Sequence, residues 1–129
     1  MNGDPPRSAE ELLERYAAGE GLFVGADLDG AELGGACLEG ATFERCFLTA
    51  SFRGARLRNA VFRECNVKSA DFRESDLRGA SFAGSAVDAI LLDGAVLQGG
   101  ELAGAFDQGH EIGRGDPWPA VRSGAPGHF

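Results

Sequence analysis

The 129-residue chain has little of what carries most protein chemistry: three cysteines, two histidines and no long hydrophobic run. Cys37, Cys46 and Cys65 form an odd set without C-x-x-C spacing, which points away from a disulfide framework and from a zinc site. His110 and His128 stand in or near the C-terminal tail, with no Ser-His-Asp, Cys-His or H-E-x-x-H arrangement around them. The chain is therefore expected not to be an enzyme and to use neither metal nor cofactor. Gly-rich stretches such as AELGG lack the G-x-x-x-x-G-K-[ST] pattern of a phosphate loop. No apolar segment approaches the roughly 18 residues of a membrane span, and the N-terminus lacks the basic start and hydrophobic stretch of a secretion signal. A cytoplasmic location is the expectation. Basic residues are the minority, 12 against 20 acidic, and the net charge of −8 argues against nonspecific binding to nucleic acid or anionic membrane.

Glycine is abundant instead, with 20 residues, about twice the usual share of roughly 7 per cent. It does not recur every third position, so a collagen helix is excluded, and a hydrophobic content of 43% excludes a simple disordered linker. The explanation is a period of five. From Gly21 to Gly104 the chain divides into seventeen units: GLFVG, ADLDG, AELGG, ACLEG and ATFER, a shortened CFLT, then ASFRG and its successors to GELAG. The third position is apolar throughout, and the first is small except at Ile90. Neither a helical nor a two-residue period stays in phase with such a pattern.

The quintets ADLDG at Asp27 and ADFRE at Asp71 are closely similar to the unit of the pentapeptide-repeat family: Ala, Asp or Asn, Leu or Phe, any residue, then Gly or a polar residue. The resemblance covers about two thirds of the chain. It implies an all-β fold, a right-handed quadrilateral parallel β-helix with four units to a coil and a little over four coils. Close packing agrees, because a large third residue and a small first residue both fit inside a narrow column if every unit turns a corner. With CFLT treated as a one-residue deletion, one stack holds Phe23, Phe43, Phe62, Phe82 and Leu102. A second holds Leu28, Leu48, Val67 and Val87; a third Leu33, Phe52, Phe72 and Leu92; the fourth Leu38, Leu57, Leu77 and Leu97.

Three segments follow: residues 1–20 with a capping helix, 21–104 with the repeats, and 105–129 as a C-terminal plug and flexible tail. Ser8 and Glu11 make a capping box for a helix over 8–18 that Gly19 ends, and Leu12, Leu13 and Tyr16 lie on its inner side, over the first coil. Phe106 is the expected plug at the other end.

Cys46 and Cys65 fall at inward first positions one coil apart and read as small buried stand-ins for alanine rather than as a redox pair. Cys37 is outward and is the thiol expected to react with reagents. Between Arg45 and Arg78 there are eight basic and four acidic residues, a local +4, so the remainder sums to −12. Arg53 stacks under Arg73 and Arg58 under Arg78, with Arg56 beside them, as a basic band suited to phosphate or an acidic protein surface. Glu64, Asp71, Glu74 and Asp76 lie among these arginines, and their pairing is the alternative. Leu22, Phe47, Val61, Leu91 and Val96 take outward second positions, Phe47 in the shortened unit. Arg114-Gly115-Asp116 reads as chance.

The expected function is a non-catalytic, rigid protein-interaction module, with Arg53, Arg56, Arg58, Arg73, Arg78 or Phe47 as the contact. Its partner is an unidentified protein, with no membrane and no direct nucleic-acid binding. The chain itself is expected as a monomer or a weak oligomer through end-to-end or face contacts. The resemblance implies a second role, imitation of duplex DNA in binding type II topoisomerases such as DNA gyrase. A short column, a basic middle and the lack of a C-terminal dimerising helix count against it. A third is an adaptor piece acting only in an assembly.

Overall fold

A computed structural model describes residues 4–114; residues 115–129, with the expected flexible tail, His128 and part of the Arg-Gly-Asp tripeptide, lie outside the described residues. Ser8, extended at φ −154°, accepts a hydrogen bond from the Glu11 N–H at 3.1 Å and caps helix α1, Ala9–Ala17. The Glu11 carboxylate reaches back to the Arg7 N–H at 2.9 Å, one residue earlier than in an ideal capping box. Gly19, at φ 104°, ends the helix in the left-handed region. Leu12 is fully buried, and the Tyr16 hydroxyl donates to the Glu39 carbonyl at 2.7 Å, which fastens α1 to the first repeats. No helix among the described residues is long and apolar enough to cross a membrane.

Strands β1, Leu22–Val24, β2, Thr42–Glu44, and β3, Val61–Arg63, pair in parallel, with Phe23, Phe43 and Phe62 in register. Elsewhere the stacking runs through single parallel bridges: Asp27 to Phe47 to Asn66 to Ala86 to Phe106, and Glu32 to Ser51 to Asp71 to Leu91. The step of 20 residues between Asp27 and Phe47 becomes 19 between Glu32 and Ser51. The short unit CFLT is thus a one-residue deletion absorbed locally. Corners are made by every fifth residue from Gly25 to Gly109, at positive φ between 54° and 86°, except across that short unit, where the next such residue after Arg45 is Gly54. Glycine takes this conformation without strain, whereas Ala89 at φ 59° bears a cost of about 1 kcal/mol or more.

The interior is two phenylalanine stacks meeting edge to face. Ring centroids are 5.7 Å apart for Phe23 and Phe43, 5.2 Å for Phe43 and Phe62, and 4.8 Å for Phe62 and Phe82. Phe52 and Phe72 stack at 5.0 Å and meet Phe62 edgewise at 6.0 and 5.9 Å. Such pairs add about 0.5–1.5 kcal/mol each to the burial of their area. First-position Ala41, Ala55, Ala60 and Ala70 are buried between the large residues.

At the C-terminal end the period runs one unit beyond Gly104. Ala105 is buried and Phe106 bridges Ala86, but Asp107 then occupies the position that otherwise holds Leu, Phe or Val. A carboxylate has no place in that apolar stack, and the chain reverses. Gln108 at φ 54° and Gly109 at φ 78° turn strand β4, Phe106–Asp107, into antiparallel β5, His110–Glu111. Phe106, the expected plug, is 37% exposed because it sits at an outward second position. Ile112 closes the end instead: it is buried, its N–H donates to the Ala105 carbonyl at 2.8 Å, and its carbonyl accepts from Gly104 at 2.9 Å.

Candidate interaction surface

Second and fourth positions of a unit project to the same side, two residues apart, so Asp71 meets Arg73 and Asp76 meets Arg78. The Arg73 guanidinium donates to Asp71 through Nε at 2.9 Å and Nη2 at 2.8 Å. Arg78 does the same to Asp76 at 2.9 and 2.6 Å. Each aspartate also accepts its arginine's backbone N–H, at 3.0 and 3.1 Å, so both ends of the clamp are held. Hydrogen bonding to the Arg78 side chain draws the Asp76 carboxyl down to about 2, and Arg73 lowers Asp71 in the same way. Both guanidinium groups are raised in turn by their aspartates.

One coil away the arginines are looser. Arg53 Nε lies 3.4 Å from Glu74, Arg58 Nε lies 3.9 Å from Asp76, and both side chains are about half exposed. Arg56 is exposed and has no ion pair among the described residues, though its backbone bridges Cys37 and Asp76. Exposed pairs at such distances contribute roughly 0–1 kcal/mol. The five-arginine band read from sequence therefore splits into two clamped arginines and a loosely held row, Arg53, Arg56 and Arg58. The signal for the split was present as D-F-R and D-L-R, an aspartate two residues before an arginine on one outward side.

Phe47 is 51% exposed and bridges Asp27 and Asn66, in a different stack from the arginine row. Leu22, at 53%, and Val96, at 43%, are exposed at separate ends of the column, while Val61 and Leu91 are half-buried. Val24 and Phe106 are further exposed apolar residues that sequence reading missed. A shallow cavity of about 350 Å³ between the start of α1 and the first repeats is lined by Arg7, Glu10, Asp27, Asp29 and Glu32. Thr49 donates to Asp29 through its N–H at 3.2 Å and its hydroxyl at 2.5 Å. Among the described residues, no group of three or more His, Cys, Asp or Glu side chains is placed to hold a metal ion.

Cys46 and Cys65 are buried neighbours and Cys37 is exposed. The closeness of the two thiols lowers Cys46 and pushes Cys65 up, burial adding to the latter, so the two titrate as a pair.

A stack of five-residue units with paired charges and single apolar residues outside is the surface of a solenoid. The pentapeptide-repeat pattern matches in eight copies, over residues 20–45 and 50–85, and the repeats of this chain belong to the pentapeptide-repeat family. The fold is similar to that of HetL, a pentapeptide repeat protein involved in heterocyst differentiation regulation from the cyanobacterium Nostoc, at TM-score 0.65 and 24% identity. That match covers 70% of this chain and 42% of HetL, so the chain spans less than half of HetL's length. A pentapeptide repeat protein of the Arabidopsis thaliana thylakoid lumen is similar at TM-score 0.60 and 29% identity, over 83% of this chain and 68% of that one. QnrB1, a plasmid-mediated fluoroquinolone resistance protein, is similar at TM-score 0.55 and 18% identity, over 65% of this chain and 62% of its own. No curated protein matches the sequence.

Proposed function

We propose that this chain is a non-catalytic interaction module, a right-handed four-sided column of a little over four coils that binds an acidic protein surface. The row Arg53, Arg56 and Arg58 makes the contact, and Phe47 supplies an apolar contact on another side. The observation that carries this reading is the contrast between neighbouring coils. Arg73 and Arg78 are neutralised by bidentate aspartates at 2.8 and 2.6 Å, while Arg53 and Arg58 have only long contacts and Arg56 has none among the described residues. Loosely paired guanidinium groups on a rigid face suit carboxylate recognition. Charge reversal of Arg53, Arg56 and Arg58 together should abolish capture of the partner from native lysate, whereas Arg73→Gln with Arg78→Gln should retain most of it. Equal capture by the wild type and the triple variant would remove the row as the site.

A DNA-mimic role toward type II topoisomerase draws on the net charge of −8 and on the fold shared with QnrB1. It is tested by gyrase supercoiling at micromolar protein, where no effect excludes it. The adaptor reading draws on the exposure of Val96 on the last coil and is tested by concentration-dependent light scattering.

A further inference from the structure

The corners of the column are of two kinds. At most of them the first-position N–H closes the corner on the carbonyl three residues back, as from Ala31 to Leu28 at 3.0 Å and from Ser85 to Phe82 at 3.0 Å. The corners leaving β1, β2 and β3, from Phe23 to Ala26, Phe43 to Cys46 and Phe62 to Cys65, lack that bond. In each, a side chain from the next coil takes the carbonyl that the corner N–H would have met. The Cys46 thiol donates to the Phe23 carbonyl at 3.3 Å. Cys65 donates to the Phe43 carbonyl at 3.2 Å. Ser85 donates to the Phe62 carbonyl at 2.7 Å and accepts from the Cys65 N–H at 2.9 Å. The series contains its own control: the residue that follows in this stack is Ala105, which carries no donor, and the corner it faces, Phe82 to Ser85, is closed directly. Where the corners are open the chain stays extended through Val24, Glu44 and Arg63, and this is the side that forms the parallel sheet; at Ser81 only an isolated bridge remains.

We propose that Cys46, Cys65 and Ser85 form a conformational device in which a thiol or hydroxyl inserted into each corner selects the open, strand-extended state, and that alanine at the same place selects the closed one. The cysteines thus hold corner carbonyls rather than only filling space. They set the strand entry from which Phe47, the residue after Cys46, projects. Closing a corner re-pairs its own N–H and carbonyl but gives up the extended strand beside it, and a lost strand hydrogen bond shifts the folding equilibrium constant about tenfold.

The test compares Cys46→Ala and Cys65→Ala with Cys46→Ser and Cys65→Ser in the full chain, by urea midpoint and by NMR couplings across the corner hydrogen bonds. If the thiols only fill space, serine, which buries a hydroxyl, is the worse replacement. If they hold the corner carbonyls, serine keeps the wild-type midpoint, alanine loses stability, and direct N–H to carbonyl couplings appear at the affected corner. Ser85→Ala should behave like the cysteine-to-alanine variants. Ser75→Ala should lose less, since the Phe72 carbonyl keeps the Ser75 N–H at 3.1 Å. The reverse change, Ala105→Ser, should open the Phe82 corner and extend the sheet through Ser81 and Ala83; it covers the case in which an inner variant does not fold. In the Cys37→Ala protein the infrared S–H stretch should lie below that of a free thiol. An S–H band at the free-thiol position, or alanine equal to or better than serine at Cys46 and Cys65, would overturn the device.

Discussion

The middle of the column and its C-terminal coil are built from the same unit and bear different weight. Phe62 has stacked neighbours in the coils on both sides and is fully buried, whereas Leu97, also at a third position, is half-buried, with no later unit over it among the described residues. Burial here depends on how many coils flank a unit rather than on the unit itself, as expected of a quasi-one-dimensional fold. An end needs a device of its own. At the start α1 supplies it through Leu12 and Tyr16; at the other end β4, β5 and Ile112 cover part of the last coil and leave Val96 exposed.

The largest effect expected from this contrast is in the middle. Phe62→Ala should destabilise the protein by about 3–5 kcal/mol, through lost burial plus the cavity it leaves, while Leu97→Ala should cost only about 1 kcal/mol. Paired urea titrations decide it, and similar losses at the two sites would erase the distinction. An intermediate effect belongs to the cap. Ile112→Asp places a carboxylate where an apolar side chain is buried and should cost about 2–3 kcal/mol. Its mark is location: amide exchange should quicken near Gly104 and Ala105 and stay slow in β2. Exchange rising evenly over the whole column would mean that the ends and the middle melt as one unit.

The smallest effect concerns the clamps of the middle coils. Asp76 is held down to about 2 and Asp71 is lowered likewise, so the unfolded chain, with its aspartates near 4, takes up protons first as the solution is acidified. The stability that these pairs contribute is present above about pH 4 and is lost as pH falls toward 2. Asp71→Asn with Asp76→Asn should flatten the acid limb of the urea midpoint against pH. A limb superimposable on that of the wild type would show that the clamps add nothing to folding.

Much of this was legible in the residues. A period of five with a large third and a small first member has one close-packed solution, so the inward phase, the phenylalanine stacks and the register across CFLT were all readable. Helix α1 was readable from Ser8 and Glu11. The surface was read less well. Arg53, Arg56, Arg58, Arg73 and Arg78 looked alike as a composition, but a charge acts through its neighbours in space, and only Arg73 and Arg78 have an aspartate two residues back. Phe106 looked like a plug because it is large and apolar. The unbroken phase of the repeat sends it outward, and Ile112 reaches the end only after the turn at Gln108 and Gly109.

Short-range pattern by itself determined which side chains face in, because alternation of large and small residues at fixed spacing admits one packing. Tertiary structure decided the rest: which arginines are clamped, which apolar residue closes the end, and that two buried thiols donate to corner carbonyls. Each depends on a neighbour brought close by the coil, about 20 residues away in sequence and one strand spacing away in space. No local pattern specifies such a neighbour until the register of the whole column is set.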